Sequence, residues 1–189
     1  MKKVISVIIA TLMLISAFAF AETAEPETRV TTIVLEGMEE EITETLYTNE
    51  AGYSIWYQAD LFQLNVNEDQ AHLFAIDSTV EGEEPGLTTS SAYMLIVPVE
   101  IAYEDTDAFL VEATGGFDPS AAVISKATSE TLENGVEIKS LTVTEDTTFY
   151  GFYIVTNGEK VLCISTICPI EAVEGWGARF DHMVMGIEF

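Results

Sequence analysis

Positive charge is what this 189-residue chain has least of. Seven Lys and Arg face 32 Asp and Glu, giving a formal net charge of −25 with histidine neutral. Such a surface repels nucleic acid and anionic lipid alike, which excludes functions built on phosphate contacts. Histidine is scarcer still, with only His72 and His182 available as imidazole bases or ligands. There is no G-x-S-x-G, no H-E-x-x-H, no C-x-x-C and no glycine-rich phosphate loop. The acidic and amide run over residues 65–70 comes nearest to a calcium loop. It lacks the turn glycine, and Ile76 stands where the closing glutamate would be needed. The sequence therefore calls for no metal and no cofactor.

Cysteine is also short, with Cys163 and Cys168 only, both in the run VLCISTICP. That run reads as one strand, in which an odd spacing turns the two side chains to opposite faces. At about 3.3 Å per residue their Cα atoms stand roughly 16 Å apart, well beyond the reach of about 7 Å that a disulfide allows. Two free thiols are expected, with Cys163 packed as a small hydrophobe.

What the chain does contain begins with MKKVISVIIATLMLISAFAFAET. Lys2 and Lys3 precede an apolar run from Val4 to Phe18 and then the small-residue pattern Ala19-Phe20-Ala21. This is the layout of a secretory signal peptide cleaved after Ala21, and the apolar run is short for a membrane span of about 20 residues. Secretion is expected, with no stable membrane insertion afterwards. Cleavage of 21 residues leaves 168 of the 189 and moves the net charge from −25 to −27. Residues 22–28 read as a flexible leader and 29–189 as one domain.

Within that domain, RVTTIVLEG and EEEITETLYT read as two strands about a turn at 37–40, followed by YSIWYQ. FQLNVNE and AHLFAID form a hairpin about Asp69. EGEEPGLTTSS is a polar loop, and AYMLIVPVE is a strand. EDTDAFLVEATGG reads as a short helix with Asp105 or Thr106 at its cap and Gly115-Gly116 as its stop. AVISKATSETL, GVEIKSLTVTED, TTFYGFYIVTNG and KVLCISTI make a run of four strands. Their turns, at Asn134-Gly135, Asp146-Thr147 and Asn157-Gly158, are tight enough to force antiparallel pairing.

The last segment changes period. Val173, Trp176, Phe180, Val184 and Ile187 fall on one helical stripe, so Trp176 reads as core. Gly175 and Gly177 flank it, which suggests close approach of the helix backbone to the sheet. His182 falls nearly opposite the stripe and should face water. The sharpest catalytic trio in the chain is Cys168, His182 and Asp181, but the wheel turns His182 away from the sheet, and adjacent side chains diverge by about 100°. No catalytic residue is assigned.

GYSIWYQADLF, the strand meander, and the closing strand followed by PIEAVEGWGARFDHM resemble small secreted proteins of anaerobic Gram-positive bacteria that have the PsbP-like fold. The resemblance spans roughly residues 35 to 189. It implies an α+β, α/β/α sandwich in which a central antiparallel sheet is covered by the C-terminal helix and by shorter helical or loop cover. The helix over 103–116 is shorter than that fold usually has. The fold's better-known members bind partners and have no clear catalysis, an analogy that transfers no site.

The early motif puts Tyr53, Ile55 and Tyr57 on the inward face and Ser54, Trp56 and Gln58 on the other. PsbP-like proteins often carry a polar residue where Trp56 stands. Trp56 lies either under the loop over 79–91 or exposed as a contact, and Trp56, Ser54 and Gln58 are the candidate partner contact. The expected function is noncatalytic binding of an extracellular or envelope protein or glycan. The alternative is an extracellular hydrolase.

Overall fold

The computed structural model describes residues 25–76, 85–87 and 89–189. The expected signal peptide lies outside the described residues, as does much of the loop expected over 79–91. Strands β1 (Thr28–Leu35), β2 (Met38–Thr48) and β3 (Ser54–Tyr57) form a three-stranded antiparallel sheet in that order. The β1–β2 hairpin closes on Glu36 and Gly37, both at positive φ (51° and 78°). Positive φ at both central residues belongs to the I′ turn, whose twist matches that of the flanking strands. The turn is thus tighter and earlier than the one expected at 37–40. The end of the 22–28 segment is also not a free leader. Thr28 pairs with Thr45, and the Leu46 amide donates to the Glu27 carbonyl at 2.8 Å.

A second, eight-stranded sheet contains β4 (Phe62–Asn67), β5 (Gln70–Ala75), β6 (Tyr93–Val99) and β7 (Val123–Ile124). It is completed by β8 (Thr128–Thr131), β9 (Glu137–Glu145), β10 (Thr148–Thr156) and β11 (Val161–Pro169). The order is β4-β5-β6-β11-β10-β9-β7, with β8 also on β9 and every pairing antiparallel. The tight turns produce the β9–β10–β11 meander as expected. AVISKATSETL does not make one strand; it breaks into the short, exposed β7 and β8 along one edge of β9. Its polar alternation offers no apolar face to bury, so nothing holds it as a continuous strand.

The eight-stranded sheet is apolar on both faces. Leu141, Val143 and Ile154 pack under helix α1 (Thr106–Glu112) through its Leu110 and Phe109. Leu73, Met94 and Ile164 face helix α2 (Val173–Met185), whose Phe180, Met183 and Val184 are buried against them. Fully burying side chains of this kind stabilises by about 1.5–3 kcal/mol each, so these two layers hold the domain. Cys163 packs with the α1 side and Cys168 with the α2 side, and both are free. Gly151 on β10 is required by crowding, since a Cβ there would stand 2.5 Å from Thr166 Oγ1 and 2.9 Å from the Tyr153 hydroxyl.

The architecture is thus α+β, a large antiparallel sheet with a C-terminal helix on one face and a short helix on the other. The three-stranded sheet is the element not foreseen. Its Ile33, Leu35 and Ile42 pack against Ala178 on the back of α2, which leaves that helix between two sheets. Among the described residues no helix is long and apolar enough to cross a membrane.

Candidate functional site

β3 is buried on both faces. Tyr53 and Ile55 enter the large core, and Trp56, on the opposite face, is only 7 % exposed. Its cover is Arg29 of β1, whose guanidinium carbon sits 4.4 Å from the ring centroid. Ser54 shares a hydrogen bond with Thr48 between their hydroxyls at 3.0 Å, and its backbone bridges to Glu188. Gln58 is buried, and its carbonyl accepts from the Leu61 and Phe62 amides. Trp56, Ser54 and Gln58 therefore form no common exposed patch. Arg29 covers the Trp56 ring, and Glu188 bridges to the Ser54 backbone.

Arg29 continues into a buried charge cluster. Its Nε donates to Glu44 Oε2 at 2.8 Å, and Nε2 of His182 lies 3.0 Å from Glu44 Oε1. His182 does not face water as expected, because the side of α2 opposite the apolar stripe is covered by the three-stranded sheet. Burial alone would push the Glu44 carboxyl up. The neighbouring His182 and Arg29 outweigh it and hold the group below the usual carboxylate range.

Cys168, His182 and Asp181 do not converge. Asp181 accepts from the Tyr153 hydroxyl at 2.7 Å, while His182 turns to Glu44. Cys168 is 1 % exposed, and burial pushes its thiol up to about 11, far from a reactive thiolate. His72, the other imidazole, shares a 2.8 Å hydrogen bond with the Tyr93 hydroxyl beside Phe74. Among the described residues no group of three or more His, Cys, Asp or Glu could hold a metal ion. The run over 65–70 is a plain hairpin, Asn67 pairing with Gln70 across Glu68 and Asp69.

An open concavity lies elsewhere, between the β1–β2 turn and the first turn of α2. It is a groove of about 680 Å³ whose apolar floor includes Leu35, Leu61 and Trp176. Phe62 meets the Trp176 ring edge-on at 5.4 Å and Phe180 stacks at 6.5 Å, so one part of the indole is core and the rest lines the groove. Gly175 also lines it, and nothing lies within 4 Å of where its Cβ would be. The glycines therefore do not serve close approach of helix to sheet. Gly177 would meet only Val173 of its own helix, at 3.3 Å.

The rim of this groove is acidic, formed by Glu36, Glu39, Glu40 and Glu171. Glu171 also stands just ahead of α2, where the helix dipole favours a carboxylate. Arg179 is the groove's cation, with Nη2 3.4 Å from Glu40 Oε1. Its Nη1 is buried with no acceptor.

The chain matches no protein-family model, and no curated protein matches it. The groove was not foreseen from sequence. The nearest signal was the density of carboxylates in LEGMEEE, which reads equally as a solvated turn. The indole of Trp176 was rightly placed in the stripe, but a helical wheel does not show that the neighbouring glycine leaves it partly open.

Proposed function

We propose that this chain is a secreted, noncatalytic binding domain of PsbP-like type, processed after Ala21, and that the groove between the β1–β2 turn and α2 receives its partner. The observation that carries this reading is the exposed part of Trp176 beside an unfilled Gly175, on an apolar floor inside a rim of carboxylates. Tryptophan in a concave, partly dry setting is the residue type most often found to anchor a binding partner. A preformed cleft of several hundred Å³ is also the usual form of a binding site. The PsbP-like reading draws on the sequence motifs together with the α+β arrangement of a large antiparallel sheet under a C-terminal helix.

The test is capture by the immobilised 22–189 chain from the secreted fraction and wall extracts of the source cells, followed by mass spectrometry. A protein or glycan retained by the wild type and lost from a Glu36→Gln, Glu39→Gln, Glu171→Gln variant supports the reading. Equal retention by both moves the contact off the groove. Turnover in a panel of ester, peptide and glycoside substrates would replace the reading with the hydrolase. N-terminal sequencing of the exported protein checks the cleavage, with Glu22 expected first.

A further inference from the structure

Given the groove as the docking site, we propose that its occupant is a basic peptide segment, with a Lys or Arg side chain lying across Trp176 between Glu36, Glu39 and Glu171.

Charge complementarity selects the sign. Arg179 is already engaged with Glu40, so the other three carboxylates of the rim have no cationic partner among the described residues. An anionic occupant would meet three unneutralised charges at close range. A second copy of the chain, itself at −25, would meet the same repulsion over its whole surface. A bare metal ion is a poor fit, because the floor between the carboxylates is apolar and hard cations require oxygen ligands on all sides.

The floor selects a long side chain. Leu35, Leu61 and the open part of the indole can cover the methylene stem of Lys or Arg while its charged end reaches the carboxylates. A cation held over tryptophan gains a further attraction from the ring, which is strongest for this aromatic. The geometry of the turn serves the same end. Glu36, at φ 51°, stands at the tip of the hairpin, which sets its carboxylate on the rim of the groove.

A groove of about 680 Å³ is of the size that takes a ligand larger than a simple amine, which favours a peptide segment.

The experiment is titration of the 22–189 chain with a tetra-arginine peptide amide, with tetra-alanine and tetra-glutamate peptides as controls. It is read by calorimetry and, in a Trp56→Phe background, by the emission of Trp176. Saturable quenching by the arginine peptide alone is expected. Neutralising the rim with Glu36→Gln, Glu39→Gln and Glu171→Gln should weaken binding at least tenfold more than neutralising Glu112, Glu130 and Glu133, exposed residues of α1, β8 and the β8–β9 turn. All six sites are at the surface, so both variants should fold. Equal weakening by the two triples would reduce the effect to overall charge and overturn the proposal, as would the absence of quenching. If the arginine peptide fails while capture of the natural partner still depends on the rim, the cationic occupant falls and the groove stands.

Discussion

Nε2 of His182, on α2, lies 3.0 Å from Oε1 of Glu44, on β2, and the Glu44 side chain is only 1 % exposed. The contact joins the helix to the three-stranded sheet across the face of α2 that amphipathic patterning assigns to solvent. With Arg29 on the other carboxylate oxygen and over Trp56, it forms one run from β3 through β1 and β2 to α2.

Glu44→Ala should therefore destabilise the fold by about 3 kcal/mol. Removing one member of a buried pair strands the others, which costs about 3–5 kcal/mol at full burial, and here Arg29 and His182 keep some access to water. Urea denaturation measures it. A loss within about 0.5 kcal/mol would place Glu44 among ordinary surface residues and contradict the cluster.

The same carboxylate should set part of the acid limb. Its folded pKa lies below the ordinary value of 4.5, so its contribution is present above that pH and is lost as pH falls through the folded pKa. Glu44→Gln removes the titration while keeping the shape. The stability gap between wild type and variant should be widest near neutrality and narrow below about pH 4.5. A gap that is constant down to pH 3 would show that Glu44 titrates alike in folded and unfolded chains.

How far the sequence reveals these features depends on whether local pattern or tertiary cover decides them. Phe180 and Val184 were legible because a stripe at helical spacing has one meaning beside a sheet, whereas Ile187 is buried but lies beyond the end of α2 at Met185. The β9–β11 meander was legible because Asp146-Thr147 and Asn157-Gly158 leave the strands no other way to pair. The three-stranded sheet hid itself. Its exposed face carries Val30 and Val34, and its face toward α2 mixes Ile33, Leu35 and Ile42 with Arg29, Glu40 and Glu44, so neither face reads cleanly as core. His182 was misplaced for that reason, while Trp56 is covered, as one of its two readings had it, with Arg29 over its ring. The groove shared the same fate, since it exists only where the β1–β2 turn meets α2.

Both thiols should resist modification in the folded chain. Burial pushes Cys168 up to about 11 and raises Cys163 as well. At pH 8 a disulfide reagent should leave Cys168 unreacted and label the half-buried Cys163 slowly, and two thiols should titrate at once in guanidinium. Rapid native labelling of both would mean that β11 is not held between its two layers.

The two tryptophans should separate in stability. Trp56 is enclosed, so Trp56→Ala should cost about 3–5 kcal/mol through the cavity it opens and the uncovering of Arg29. Trp176 makes its contact with Phe62 on one side only, and the other side faces the groove. Trp176→Ala should cost less, about 2 kcal/mol, while abolishing capture of the groove's occupant. Losses in the reverse order would show that the indole of Trp176 is enclosed and that the groove has no aromatic floor.

Gly175 tests whether the groove is kept open for a purpose. A side chain there meets nothing within 4 Å, and alanine is favoured over glycine in a helix by about 1 kcal/mol. Gly175→Ala should therefore stabilise the chain, by roughly 0.5 kcal/mol given its place in the first turn of α2. A methyl group there also projects beside Trp176 into the groove, where it should weaken docking. The signature is a higher midpoint of denaturation together with poorer partner capture, two changes of opposite sign from one substitution. Stabilisation with capture unchanged would mean that the occupant passes over Trp176 without touching the first turn of α2.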